Sequence, residues 1–121
     1  MPTFIQRLDH VQVAIPHGGE DLARRFYVDL LGFVEEQKPP PLNLRGGCWL
    51  RSGACIVHLG VDPNFIPAKK AHLALVVDDF TTLGALLRSS GFAFDIDHEL
   101  EHVVRAFTED PFGNRLELIA S

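Results

Sequence analysis

The chain has 121 residues, which is enough for one hydrophobic core and too few for two ordinary domains. Hydrophobic residues make up 46% and charged residues 22%, a balance typical of a globular protein rather than of a disordered or membrane-embedded one. The formal net charge of −5 counts against general nucleic-acid binding, because contact with phosphates needs clustered Lys and Arg. We therefore expect a single domain over residues 1–121.

The N-terminus and the cysteines bear on the location of the protein. The first residues, MPTFIQRLDHVQV, turn polar too early for the apolar stretch of a signal peptide, and no run approaches the length of a membrane span. Cys48 and Cys55 lie too far apart for the close pairing of a zinc knuckle, and both have apolar neighbours typical of strands. We expect reduced core cysteines and a soluble, cytoplasmic protein.

The first half of the chain predicts a strand, a helix and three further strands. Leu8 to Pro16 is rich in β-branched residues and ends in a Pro-His-Gly-Gly turn, so it predicts a strand. From Glu20 to Leu31 the apolar residues recur at the spacing of one helical face, and Gly32 ends the helix. Lys38 to Pro41 predicts a loop, because proline cannot join a strand ladder. The further strands are predicted at Phe33–Gln37, Gly47–Arg51 and Ala54–Gly60.

The second half repeats this order after a linker at about residues 61–69. His72 to Val77 predicts a strand, and Asp79 is the expected cap of a helix through Ser90 that Gly91 ends. Three further strands are then predicted, near Phe92–Ile96, His102–Thr108 and Arg115–Ala120.

The two halves align as copies of one unit. His10 aligns with His72, and after one short gap His58 aligns with Glu117. Each of the last two lies between apolar neighbours that must face the helices, so the polar side chains point to the opposite face. We predict an α+β fold of two tandem βαβββ modules, at about residues 6–60 and 70–120, whose curved mixed sheets form a cup.

Four metal-competent residues thus occupy equivalent places in the two copies. Each alone is more often an ordinary polar residue of a strand, but their joint placement inside the cup favours a metal site. Three imidazoles and a carboxylate suit a divalent transition metal such as Zn, Ni, Fe, Mn or Co, and suit Ca or Mg poorly. The predicted ligands are His10, His58, His72 and Glu117.

Three other side chains are candidates for contact with a small-molecule substrate. Trp49 and Arg51 share a face of one strand, and Arg105 lies on the matching strand of the second half, so guanidinium groups could clamp an anionic substrate. The alternative is that Trp49 belongs to the core and the arginines to the surface. The remaining histidines are expected in solvated turns or strand ends: His17, His98 and His102.

The sequence resembles the vicinal oxygen chelate superfamily, the group of glyoxalase I, extradiol dioxygenases, fosfomycin-resistance enzymes and bleomycin-binding proteins. The resemblance runs from LDHVQVAI through LLGF, IVHLG and AHLALVVDD to FTEDPFGNRLELI. The closing acidic-Pro-x-Gly turn before an L-E-L strand is among its more specific parts. The resemblance implies paired βαβββ modules and a metal at the positions of the four predicted ligands.

The resemblance implies several possible chemistries, because one fold hosts several reactions. Fosfomycin-resistance enzymes and extradiol dioxygenases leave the place of His58 without a ligand, whereas glyoxalase I and methylmalonyl-CoA epimerase fill it, usually with Glu or Gln. The leading interpretation is a metal-dependent lyase or isomerase that chelates adjacent oxygens of a small metabolite and stabilises an enediolate, with Glu117 or His58 as the base.

Two alternatives stay open. One is a non-haem Fe(II) dioxygenase of the extradiol type, with His10, His72 and Glu117 as its ligand triad and His58 as the base. The other is a drug-binding or resistance protein without chemistry, like the bleomycin-binding proteins. The resemblance also implies a homodimer with its sites at the subunit interface, which the open sheet edges make plausible.

Overall fold

The computed structural model describes all residues, 1–121, and contains two four-stranded sheets. The strands of the first sheet are β1 (Val11–Ile15), β2 (Val34–Glu36), β3 (Cys48–Ser52) and β4 (Cys55–Val61). Those of the second are β5 (Leu73–Val77), β6 (Asp95–Asp97), β7 (Arg105–Glu109) and β8 (Arg115–Ala120). The predicted α+β fold of two βαβββ units is confirmed.

Both sheets have the same topology. The strand orders are β1-β4-β3-β2 and β5-β8-β7-β6. In each sheet the first strand pairs with the last in parallel, with Val11 opposite Val57 and Leu73 opposite Leu116, and the other pairs are antiparallel. β1 and β5 are therefore edge strands, each with one side that no strand covers.

Each unit contributes one main helix. The first, α1 (Glu20–Arg24), continues into a π-helical segment at Arg25–Leu30, and the second, α2, covers Phe80–Ser89. In the π-helical segment the N–H of Leu31 donates to the carbonyl of Phe26, five residues earlier. The apolar stripe predicted for the first helix still faces inward, with Phe26 among its fully buried members. A short 3-10 turn, Leu42–Leu44, lies after the proline-rich loop.

Some predicted boundaries and one predicted cap were wrong. β7 begins at Arg105 rather than at His102, because His102 has a φ of 66°, which is outside the region that strands use. β6 begins at Asp95 rather than near Phe92, and Phe94, just before it, packs against Phe80 with ring centroids 4.9 Å apart. Asp79 does precede α2, but its φ is 49° and its side chain caps no N–H of the helix.

One hydrophobic core joins the two units. It contains 14 buried residues from both halves of the chain. Across the boundary, Phe26 of the first unit meets Phe92 of the second edge-on, with ring centroids 4.9 Å apart. Cys48 is in this core and Cys55 packs against it, both as free thiols. No helix combines the length and the apolar character that crossing a membrane requires.

A buried hydrogen-bond network anchors the turn that precedes β8. The Tyr27 hydroxyl donates to the Asp110 carboxylate at 2.7 Å, and the Asn114 side-chain amide donates to the Ala14 carbonyl at 2.9 Å. The N–H of Ala68, in the linker, donates to the Asn114 side-chain oxygen at 2.9 Å. The turn is thereby tied to the first unit and to the linker, which fixes the position at which β8 begins.

Candidate metal centre

The structure places the four predicted ligands on the sheet faces that point away from the helices. His58 lies at the centre of β4 and Glu117 at the centre of β8, and their neighbours on either side are buried in the core. His10 and His72 immediately precede β1 and β5 rather than lying in them. The strand alternation that predicted this common face depends only on which residues are apolar.

The structure brings these residues together as two pairs. The imidazole rings of His10 and His58 are stacked, with centroids 4.2 Å apart and planes inclined by 24°. In the second sheet, His72 Nε2 lies 3.1 Å from Glu117 Oε1. Within one chain, no group of three or more His, Cys, Asp or Glu residues is placed to hold a metal ion. We call the pairs the N-terminal half-site (His10 and His58) and the C-terminal half-site (His72 and Glu117).

Ion pairs hold the carboxylate of the C-terminal half-site in place. Arg105 Nη1 donates to Glu117 Oε2 at 3.1 Å, while Arg105 Nη2 donates to Asp97 Oδ2 at 2.7 Å. Burial alone raises the pKa of Glu117, but the hydrogen bonds from His72 and Arg105 outweigh it and hold that pKa below its ordinary value. Glu117 is therefore ionised, and both of its oxygens have partners.

The contacts of His72 fit a metal ligand. Its Nδ1 lies 2.9 Å from the carbonyl oxygen of Lys70, which can only accept, so this nitrogen carries a proton. Nε2 then faces the carboxylate of Glu117, and this contact is favourable only with a proton or a cation between the two atoms. Two donors on one transition metal, each about 2.1 Å from it, are roughly 3.0 to 3.4 Å apart for angles between a right angle and the tetrahedral angle. The 3.1 Å between His72 Nε2 and Glu117 Oε1 meets that requirement.

The N-terminal half-site is built from rings. His10 Nδ1 lies 2.8 Å from Asp9 Oδ2, the carboxylate-backed arrangement common in metal-binding histidines, which leaves Nε2 available. His58 lies between His10 and Trp49, whose ring is parallel to it within 5° at 4.3 Å. Burial and the neighbouring His10 lower the pKa of His58, so its imidazole is neutral near pH 7. Stacked rings do not aim their nitrogens at one point, so one ring must turn before both can bind one ion.

The candidate substrate residues lie on the same faces, but the two arginines are already paired. Arg51 donates to Glu36 across the first sheet, and Arg105 is held by Glu117 and Asp97. The hydrogen bond to Glu117, together with the neighbouring Asp97, raises the pKa of Arg105. Trp49 is outside the core and covers His58. The other three histidines are exposed loop residues, as expected: His17, His98 and His102.

Sequence reasoning missed Phe107. It lies opposite Glu117 in the β7–β8 register, as Trp49 lies opposite His58 in the β3–β4 register. Its ring meets His72 edge-on, with centroids 6.0 Å apart and planes at 74°. Strand alternation from Arg105 places Phe107 on the same face of β7 and could have identified it. However, the loop between β3 and β4 differs in length from the loop between β7 and β8, and this obscures the correspondence between Phe107 and Trp49.

Two cavities border the half-sites. One, of about 490 Å³, lies between β1 and β5, is mostly apolar, and is lined by both His10 and His72. The other, of about 730 Å³, lies over the open face of the first sheet and is lined by His58, Trp49 and parts of the loop that follows β2. Both volumes are in the range of small-molecule sites.

Comparison with known proteins identifies the family. A Bacillus anthracis protein assigned to the glyoxalase family is 43% identical, with 100% of this chain and 99% of that chain covered and a TM-score of 0.93. A glyoxalase family protein from Enterococcus faecalis is 21% identical, with 97% and 99% covered and a TM-score of 0.75. The fosfomycin resistance protein FosX from Listeria monocytogenes is 11% identical, with 98% and 95% covered and a TM-score of 0.78, and shares the fold.

The 43% identity over the whole chain decides the assignment, while the two more distant structures support the fold alone. No family model matches the sequence, and no curated protein matches it. The superfamily predicted from the resemblance along the chain is thus confirmed. The chain belongs to the glyoxalase family, within the vicinal oxygen chelate superfamily.

Proposed function

We propose that this protein is a cytoplasmic, metal-dependent lyase or isomerase that acts on a small oxygenated metabolite, and that its site is assembled in a homodimer. The observation that carries the proposal is the division of the predicted ligands into two half-sites of two residues each. A transition metal takes about four ligands, which neither half-site can supply alone. An N-terminal half-site facing a C-terminal half-site of another copy supplies three imidazoles and a carboxylate.

Exposed apolar side chains near the cavity between β1 and β5 support a dimer. Leu8 is 76% exposed and Ile66 80%, and both line that cavity. Val76, on the edge strand β5, is 68% exposed. Apolar surface beside an uncovered strand edge favours association. In a two-fold symmetric dimer, the N-terminal half-site of each chain would face the C-terminal half-site of the other chain. Two equivalent complete sites would result.

The residues fit a metal ion, and His10, His58, His72 and Glu117 would hold it. When bound there, a divalent transition ion supplies Lewis acidity toward two adjacent substrate oxygens. Asp9 and the Lys70 carbonyl orient His10 and His72, the histidines that precede β1 and β5. Arg105 keeps the Glu117 carboxylate ionised.

His58 is the better candidate for the base. It is neutral near pH 7, and a ring nitrogen can accept a carbon-bound proton of the substrate. Glu117 is less suited to that task, because both of its oxygens are engaged and its pKa is lowered. In this assignment Glu117 remains a ligand, while His58 leaves the ion so that its free ring nitrogen can take up and return the proton.

A second candidate function rests on the stacking of His58. Because its ring is clamped between His10 and Trp49, His58 could stay away from the ion and leave a triad of two histidines and one carboxylate. His10, His72 and Glu117 would then form the ligand set typical of non-haem Fe(II) oxygenases. Oxygen consumption with catechols, together with bound iron, would favour this dioxygenase over a lyase or isomerase.

Elemental analysis of tag-free protein tests the proposal. We expect about one transition-metal ion per chain in the parent, and loss of that ion in the double variant His72→Ala, Glu117→Ala. The matched control is His98→Ala, which removes an exposed loop histidine and should leave the metal content unchanged. A parent protein that neither carries nor takes up metal would contradict the proposal and favour a drug-binding protein without chemistry.

A further inference from the structure

Arg115 differs from the other arginine on the open face of the second sheet. It lies two residues before Glu117 on β8, so strand alternation puts both side chains on one face. Arg105 is neutralised by two carboxylates, whereas Arg115 forms no ion pair. Glu109 is opposite Arg115 in the register but is bound instead by Lys69, at 3.2 Å. The face therefore carries one cationic group without a bound carboxylate.

The guanidinium of Arg115 is held in a defined place. Its Cζ lies 4.0 Å from the centroid of the Phe107 ring, the closest cation–π contact in the structure. A guanidinium held over an aromatic face is restrained in position there, and its N–H groups that point away from the ring stay free to donate. The N–H of its own backbone donates to the Ala68 carbonyl at 2.9 Å. A planar donor group fixed in this way is suited to bidentate binding of an oxyanion.

Arg115 is also positioned beside the candidate metal centre. It lines the cavity between β1 and β5 together with His10 and His72. Phe107, on which it stacks, also touches the His72 ring edge-on. Two residues along a strand span about 7 Å, which sets the distance along β8 between Arg115 and the ligand position of Glu117.

We propose that Arg115 binds an anionic group of the substrate, a carboxylate or a phosphate, while the metal centre holds its adjacent oxygens. The inference rests on the proposed function and narrows its substrate class to small acids or phosphorylated metabolites. In this assignment Arg105 is a positioning residue for Glu117, and Arg115 supplies the charge that selects the substrate.

An anion titration tests this assignment. Protein labelled with ¹⁵N is titrated as purified with inorganic phosphate and, in a second arm, with malonate, and the side-chain Nε–H signal of Arg115 is followed by NMR. Saturable shifts of this signal are expected in at least one arm. Tighter phosphate binding would identify a phosphorylated substrate, and tighter malonate binding a carboxylic acid.

Three variants complete the test. Arg115→Met should weaken anion binding about tenfold, the scale of one lost charge-assisted contact, and Arg115→Lys should restore part of it. The matched control, Arg25→Met, removes an exposed arginine of the π-helical segment and should change nothing. An Arg115 signal that neither anion moves, or equal losses in Arg115→Met and Arg25→Met, would overturn the inference.

Metal content, measured on the same samples, separates this inference from the proposed function. If Arg115→Met keeps the metal content of the parent but loses anion binding, the result supports both the anion site and the proposed metal-dependent function. A parent without metal whose Arg115 signal still shifts saturably would contradict the proposed metal chemistry and leave the anion site standing.

Discussion

The two half-sites occupy equivalent places in a duplicated unit, yet they are held by different forces. In the C-terminal half-site, Glu117 is buried and bound on both sides by the charged or polarised groups of His72 and Arg105. In the N-terminal half-site, His58 is a neutral ring stacked between two other rings. The comparison teaches that one half of the site is organised by charge in advance, while the other can adjust by rotation of a ring.

The difference arises from what faces each ligand across the sheet. Arg51 of β3 is committed to Glu36 on β2, so no guanidinium reaches His58. On the second sheet Arg105 contacts both Asp97 and Glu117, and so couples the ligand to a second carboxylate. We infer that the C-terminal half-site dominates metal affinity and that the N-terminal half-site completes the coordination.

The largest expected effect is that of removing the charged ligand. Glu117→Gln should lower metal affinity by more than about 100-fold, beyond the 10- to 100-fold typical of residues that support a ligand. His58→Gln should cost less, because it removes a neutral ring that must rotate before it binds. Competition with a chromophoric chelator gives both affinities. Equal losses in the two variants would mean that the half-sites contribute alike.

The next effect separates the two arginines. Arg105→Met should lower metal affinity roughly 10- to 100-fold, because Glu117 and Asp97 lose their shared donor and Glu117 is free to change its orientation. Arg51→Met removes the corresponding charge from the first sheet and serves as the control, with little change expected. Should Arg51→Met weaken metal binding as much as Arg105→Met, the effect would be one of general charge rather than of positioning.

The smallest effect concerns the titration of His58 in metal-free protein. Its pKa is lowered from 6.5 by burial and by the neighbouring His10. Trp49→Ala should expose the ring and raise this pKa toward 6.5, which NMR titration of the imidazole protons measures. The folded state disfavours the charged form of the His58 imidazole. The contribution of His58 to the free energy of unfolding is therefore full above pH 6.5 and is lost as the pH falls through the lowered pKa. In Trp49→Ala this pH-dependent loss of stability should be smaller. An unchanged pKa of His58 in that variant would show that Trp49 does not control the burial of His58.

The sequence was sufficient for the fold because the repeat and the strand alternation are local signals. The apolar neighbours of His58 and Glu117 predicted which face each of these two residues occupies, and the structure agrees. Alternation assigns a face but not the distance between two sheets, so it could not separate the four predicted ligands into pairs. Pairing of Arg105 with Asp97 depends on the β6–β7 register, and the match of Phe107 with Trp49 depends on loop length; neither can be read from periodicity.

The central claim is that a complete site needs half-sites from two chains. Mixing the variant His10→Ala, His58→Ala with the variant His72→Ala, Glu117→Ala, under conditions that allow subunit exchange, forms hybrid dimers. If sites are shared between subunits, each hybrid contains one intact site and should bind one metal ion, although neither variant binds metal alone. Hybrids without metal, beside a parent that binds it, would contradict the account and place each site within a single chain.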